Sequence, residues 1–261
     1  MNALNPLDVL LLLGVACPLL PAIVWTAERK GCFRVDTFPS EALLRSGLAL
    51  FTFVLVLTTL MPAAALGRRI DPGRLTLPRL LALQAVLLLF LLVWWLLSAR
   101  PPLRSFLCLT GPHPLQQAGV GVVVGLAGWG LTVATGALLV LVTRAFHLPT
   151  PGGLTPLVAG LARLPAIERL AIVVVAMTVE EFYFRSFLQR RLGAFPAAAL
   201  FLVAHAGYGD PLFFVGLLAI TAVLTLSFAR TGSAIAAIAA HGTFDAIQLL
   251  LVLPAAVRAG G

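Results

Sequence analysis

Charge is what this 261-residue sequence has least of: 11% of its residues are Asp, Glu, Lys or Arg, where a soluble domain carries about a quarter. With 60% hydrophobic residues and a mean hydropathy of +1.03, a water-soluble globular protein is excluded and an integral membrane protein is indicated. Lysine is nearly missing, since 17 of the 18 basic residues are arginine and only Lys30 is not. The net charge of +8 does not make a nucleic-acid binder. The arginines lie mostly in short connections between apolar runs, as flanking charges of a multi-pass protein do. Cysteine is scarce too. Cys17, Cys32 and Cys108 are odd in number and far apart, with no Cys-x-x-Cys pair, which indicates neither a zinc knuckle nor a disulfide framework. No soluble-looking stretch is long enough for a core of its own, so residues 1–261 read as a single membrane domain.

What is abundant is the apolar run. A membrane-crossing helix needs ~20 mainly apolar residues, and the candidates are 7–26, 43–66, 80–99, 118–142, 170–189, 194–207, 211–229 and 233–254. The expectation is therefore an all-α polytopic bundle of about eight transmembrane helices. The run 194–207 is short and must be tilted or partly irregular. Residues 7–26 are expected to be a retained span: the positive n-region of a signal peptide is missing, Asp8 stands in its place, and Gly-Val-Ala-Cys17 is only a faint lipoprotein box. Trp94 and Trp95 are expected at the membrane interface. Six glycines between Gly119 and Gly136 predict close helix packing for 118–142. Turn chemistry makes 67–79 and 100–117 loops, and the Pro/Gly-rich link 144–169 leaves room for a short interfacial helix at 157–164. Orientation is not set by charge: Lys and Arg number eight on the side of the termini and nine on the other.

Ionisable residues well inside the spans collect in the last third. They are Glu180, Glu181 and Arg185 on the fifth run, His205 at the end of the sixth, and His241 and Asp245 on the eighth. Such groups cost several kcal/mol in a bilayer and are tolerated where they face a protein interior or a wet cavity. Glu181 and Arg185 are i and i+4 with the acid first, the favourable order for an ion pair. Glu180 points about 100° away around the helix, which leaves it as the carboxylate available for proton transfer. His241 and Asp245 project together at i and i+4, and Phe201 and His205 repeat that spacing, with Phe201 as a packing wall. At ~1.5 Å per residue the four groups Glu180, His205, His241 and Asp245 fall at compatible depths for one cavity opening toward the termini. A lone intramembrane histidine is more often a packing residue than a catalyst; four ionisable groups on three helices outweigh that.

These residues resemble the three signature motifs of the CPBP family, glutamic-type intramembrane proteases related to the type II CAAX prenyl protease and the bacterial Abi proteins. Glu-Glu-x-x-x-Arg stands here as Glu180-Glu181-Phe-Tyr-Phe-Arg185, Phe-x-x-x-His as Phe201 to His205, and His-x-x-x-Asn/Asp as His241 to Asp245. The resemblance covers 165–254 as a catalytic core, with 1–143 as accessory transmembrane helices. It implies an eight-helix bundle that hydrolyses peptide bonds within the membrane without metal or other cofactor. Glu180 and His205 would activate a water, and His241 and Asp245 would face the oxyanion. Asp245 departs from the Asn form. It can donate only when protonated, or it holds the His241 tautomer, or it binds water.

Two other functions stay open on the sequence. Glu180, His205 and His241 could hold zinc with one open position, although His-Glu-x-x-His is missing. A proton-coupled transporter or a non-catalytic membrane chaperone also uses buried Glu–His relays, yet confinement of charge to the last third argues against inverted repeats. The partners implied are the lipid bilayer and a peptide or protein with a membrane-associated C-terminal segment, not nucleic acid. By resemblance the reaction is cleavage after a prenylated cysteine, maturation of bacteriocin-like peptides or cutting of C-terminal sorting helices; of these, C-terminal sorting or propeptide processing is the reading taken. Arginine in place of lysine, with much Ala and Leu, points to a high-GC bacterial source and thus to the inner (cytoplasmic) membrane.

Overall fold

A computed structural model describes residues 20–65, 75–148, 156–206 and 211–259. Most of the expected first span, with Asp8 and Cys17, and most of the 67–79 loop lie outside the described residues, as do 149–155 and 207–210. Every regular element among the described residues is helical. In chain order they are α1 (20–29), α2 (Glu41–Ala65), α3 (Leu77–Leu97), α4 (Leu103–Phe106), α5 (Pro114–Ala145) and α6 (Pro156–Arg163). There follow α7 (Ala166–Glu180), α8 (Ala194–Ala204), α9 (Pro211–Thr231) and α10 (Ala234–Ala246). Two of these do not stop where their α-helical geometry does. α7 runs on through a π-helical stretch, Glu181–Gln189, and a last turn, Arg190–Leu192; α10 runs on through a second one, Ile247–Val252, to Leu253–Ala259.

The protein is an all-α, polytopic membrane protein, and the expected count of eight spans is met only in part among the described residues. Among the described residues five helices are long and apolar enough to cross a bilayer: Glu41–Leu60, Leu77–Leu97, Pro114–Ala145, Phe213–Thr231 and Ala234–Ala259. The expected fifth span lies within α7 and its continuation, which carry seven charged residues and change helical type midway. The expected sixth is α8, whose 11 residues rise ~16 Å at ~1.5 Å each, about half of a ~30 Å hydrocarbon core.

Local sequence explains several ends. Pro78 and Pro114 stand in the first turns of α3 and α5, where a missing N–H costs nothing. The Ser233 hydroxyl caps α10 by accepting from the Ala236 N–H at 3.3 Å. Gly193, at φ +91°, turns the chain from the α7 continuation into α8 in a region that side chains with a Cβ avoid.

The core is aromatic. Trp94 on α3 meets Phe187 on the π stretch edge-on at 4.9 Å between centroids, and Phe90 meets Phe187 at the same distance and nearly the same angle. Phe51 of α2 packs into this group from the other side. Trp94 is thus no interface anchor: it is wholly buried, and its indole N–H donates to Asp36 at 3.2 Å. Asp36 also takes a bidentate grip from Arg191, at 2.6 and 2.7 Å, whose guanidinium stacks 3.9 Å from the Phe187 ring. Arg191, expected as a charge in a connection, is one of the buried cations of the core.

Close approach of α5 to α10 depends on two glycines. A Cβ on Gly121 would collide with the Ala236 carbonyl oxygen, and one on Gly125 with that of Ala240. Three of the six glycines of this helix, Gly121, Gly125 and Gly128, face neighbours in this way, while Gly119, Gly130 and Gly136 face open space. The effect is to seat α10, which carries His241 and Asp245, directly against the α5 backbone. α6 buries Val158, Leu161 and Ala162 and packs on the 247–259 end of the last helix. Arg169 at the start of α7 donates to the Leu249 carbonyl at 3.0 Å, fastening it to the π stretch of the last helix.

Candidate active site

Glu180 and Glu181 straddle the point where α7 passes from α to π geometry. Neighbours in sequence, they leave the helix in different directions and enter different surroundings.

Glu181 goes inward. Its Oε2 accepts from Arg185 Nε at 3.1 Å, and neither side chain has any exposure. Its Oε1 accepts from His241 Nδ1 at 2.9 Å, a partner on another helix that sequence spacing did not suggest. Arg185 reaches further, donating from Nη1 to the Thr225 hydroxyl of α9 at 3.1 Å and lying 5.0 Å over the Phe201 ring. Glu181 therefore joins α7, α9 and α10 through charged and hydrogen-bonded contacts that are all dry.

The same contacts orient the imidazole. A carboxylate only accepts, so the His241 Nδ1 facing Glu181 carries a proton and Nε2 turns the other way. There Nε2 lies 3.6 Å from Asp245 Oδ2. The tautomer of His241 is set by Glu181 rather than by Asp245, which narrows the three roles open to that aspartate.

Glu180 goes toward α3 and α8. Its Oε1 accepts from the Gln84 side-chain NH2 at 3.1 Å. Its Oε2 is buried without a hydrogen-bond partner, 3.7 Å from His205 Nε2. That distance exceeds a direct hydrogen bond and suits a single bridging water. His205 sits at the C-terminal cap of α8, just where the helix ends, and its Nδ1 lies 2.8 Å from the Phe201 carbonyl. A carbonyl oxygen accepts, so Nδ1 bears the proton and Nε2 faces the glutamate. The buried Phe201 ring fills the space between the two imidazoles, 4.4 Å from His205 and 5.8 Å from His241.

Glu180, His205, His241 and Asp245 all line one cavity of about 400 Å³. Gln84, Thr132 and Gln248 add to its polar part, while most of the lining is apolar, Val158, Leu161, Ile172, Met177 and Leu249 among it. Two carboxylates and two imidazoles thus share one space whose lining is mostly apolar. Sequence reading missed Gln84, Gln248 and Thr225. For Gln84 a signal did exist: it is one of the few polar residues in the very apolar run 80–99.

The zinc alternative gains nothing from this arrangement. Among the described residues no three His, Cys, Asp or Glu side chains form a group that could hold a metal ion. The Nδ1 atoms of both histidines are already directed at Glu181 and at the Phe201 carbonyl.

Residues 162–247 match the family model described as type II CAAX prenyl endopeptidase Rce1-like. The match takes in about a third of the chain and contains Glu180, Glu181, Arg185, Phe201, His205, His241 and Asp245. Gln84 lies outside it. At the level of that family it supports a protease-type membrane enzyme. No curated protein and no solved structure matches the chain.

Proposed function

We propose that this protein is an intramembrane endopeptidase of the glutamic type, hydrolysing a peptide bond of a membrane-associated protein or peptide. The observation that carries the reading is the Glu180 Oε2: buried, without a hydrogen-bond partner, and 3.7 Å from His205 Nε2 at the edge of a cavity with apolar walls.

A water placed between these two atoms donates one hydrogen to each, which leaves a lone pair to attack the scissile carbonyl carbon. Glu180 takes the proton as the C–O bond forms. It returns that proton to the amide nitrogen as the C–N bond breaks, giving a carboxylic acid and an amine. The carbonyl oxygen becomes negative in between and is met from the His241–Asp245 side. His241 Nε2, when it bears a proton, is the donor there, and Glu181 behind Nδ1 supplies the counter-charge. The substrate is a polypeptide with an apolar membrane-associated segment, in C-terminal sorting or propeptide removal. The apolar lining of the cavity supports that choice. A bacterial inner membrane is the proposed location, on the arginine-rich composition.

The test is a comparison of membrane proteomes from cells expressing the wild type or Glu180→Gln. An uncleaved precursor that accumulates only with the variant identifies the substrate. Identical processing in the two strains removes the protease assignment.

A further inference from the structure

We propose that Gln84, on α3 and outside the family-like segment, is the positioning residue for the Glu180 carboxylate. The inference rests on the protease reading and names a further part of the same site.

Gln84 belongs to the buried stripe of α3, in register with Leu87, Phe90, Leu91 and Trp94. Every other member is apolar, and a leucine or methionine at 84 would satisfy the packing of that stripe. The amide instead brings a burden. Its NH2 meets Glu180 at 3.1 Å, but its Oε1 is buried with no hydrogen-bond partner. A polar atom left unsatisfied away from water destabilises a fold, so stability does not explain this residue. Its one made contact does. By holding Oε1 of Glu180, it fixes the rotation of the carboxylate so that Oε2 is turned toward His205. Without that donor the carboxylate is free to swing, and the gap to be bridged by water is no longer defined. The site is then not confined to the helices of residues 162–247; it is incomplete without α3.

Two variants test this in the full-length chain. Gln84→Met keeps length and bulk but lacks the donor, and Gln84→Glu keeps the shape while replacing the NH2 by a second carboxyl. The substrate is the precursor that accumulates with Glu180→Gln, mixed with purified protein in phospholipid nanodiscs. A hydrogen bond to a charged group corresponds to a rate effect of about 10- to 100-fold. We expect kcat to fall by that factor in Gln84→Met and at least as far in Gln84→Glu, with KM within about twofold. The melting temperature of Gln84→Met should stay within about 3 °C of wild type or rise. Wild-type kcat in either variant overturns the proposal and leaves the protease reading intact. A parallel loss of melting temperature and kcat in Gln84→Met also overturns it, since that is the mark of a packing residue. Failure of any precursor to accumulate with Glu180→Gln instead sinks the protease reading, and the positioning role with it.

Discussion

Glu180 and Glu181 are the same residue type in consecutive positions of one helix, both buried, and they have almost nothing else in common. Each oxygen of Glu181 has a partner: Arg185 on Oε2 and His241 on Oε1. Glu180 has Gln84 on one oxygen and no hydrogen bond on the other. A carboxylate with all its bonds made inside the protein holds helices together and has nothing left to exchange. One with an oxygen in reserve at the edge of a cavity can take up a proton and give it back. The difference arises from direction alone, because one residue step around a helix changes which neighbours a side chain meets.

Substitution of each glutamate should separate these two characters. Glu180→Gln gives the largest effect, a loss of hydrolysis of about 10³-fold or more, with the melting temperature barely moved; cleavage assays and thermal denaturation on one preparation check both halves. Glu181→Leu should strike stability first, with activity falling as well because His241 loses the partner that orients it. The change strands Arg185 in a dry interior, at a cost of ~3–5 kcal/mol, read as reduced folded yield and resistance to denaturant. Gly125→Val comes next. It forces α5 off the α10 backbone for ~1–3 kcal/mol, and because α10 carries His241 some activity goes with it. The smallest effect sharpens the comparison most. Arg45 and Glu41 have the same i,i+4 spacing as Arg185 and Glu181 and a shorter contact, 2.6 against 3.1 Å, yet both are about three-quarters exposed. Arg45→Ala should therefore shift stability by no more than ~0.5 kcal/mol, measured by the same denaturation.

The helical pattern explains how much of this could be read without coordinates. Spacing of four residues was enough to bring Glu181 to Arg185 and His241 to Asp245, since those pairs share a helix face in almost any helical geometry. Depth along the runs was enough to gather Glu180, His205, His241 and Asp245 at one cavity. What spacing cannot show is contact between helices. The Glu181–His241 and Gln84–Glu180 bonds join residues 60 and 96 positions apart, and no local rule predicts them. Arg191 reads from the sequence as a flanking charge in a connection because it follows an apolar run. Its partner, Asp36, comes from a connection 155 residues away. The span count is met only in part among the described residues, for a related reason. Hydropathy marks how apolar a segment is, and α8 is fully apolar yet stops after 11 residues at His205.

The π-helical passage at Glu181–Gln189 has a consequence of its own. Widened turns of this kind correspond to a surplus residue accommodated within an ordinary helix. Deleting one position between Phe182 and Leu188 would let the backbone relax into tighter, more regular turns, a local gain. The widened turns absorb the ~100° and ~1.5 Å that one residue contributes, so the turns beyond would keep their heading while side chains inside the stretch, Arg185 and Phe187 among them, would lose theirs. A shortened chain of this sort would be better wound and worse assembled.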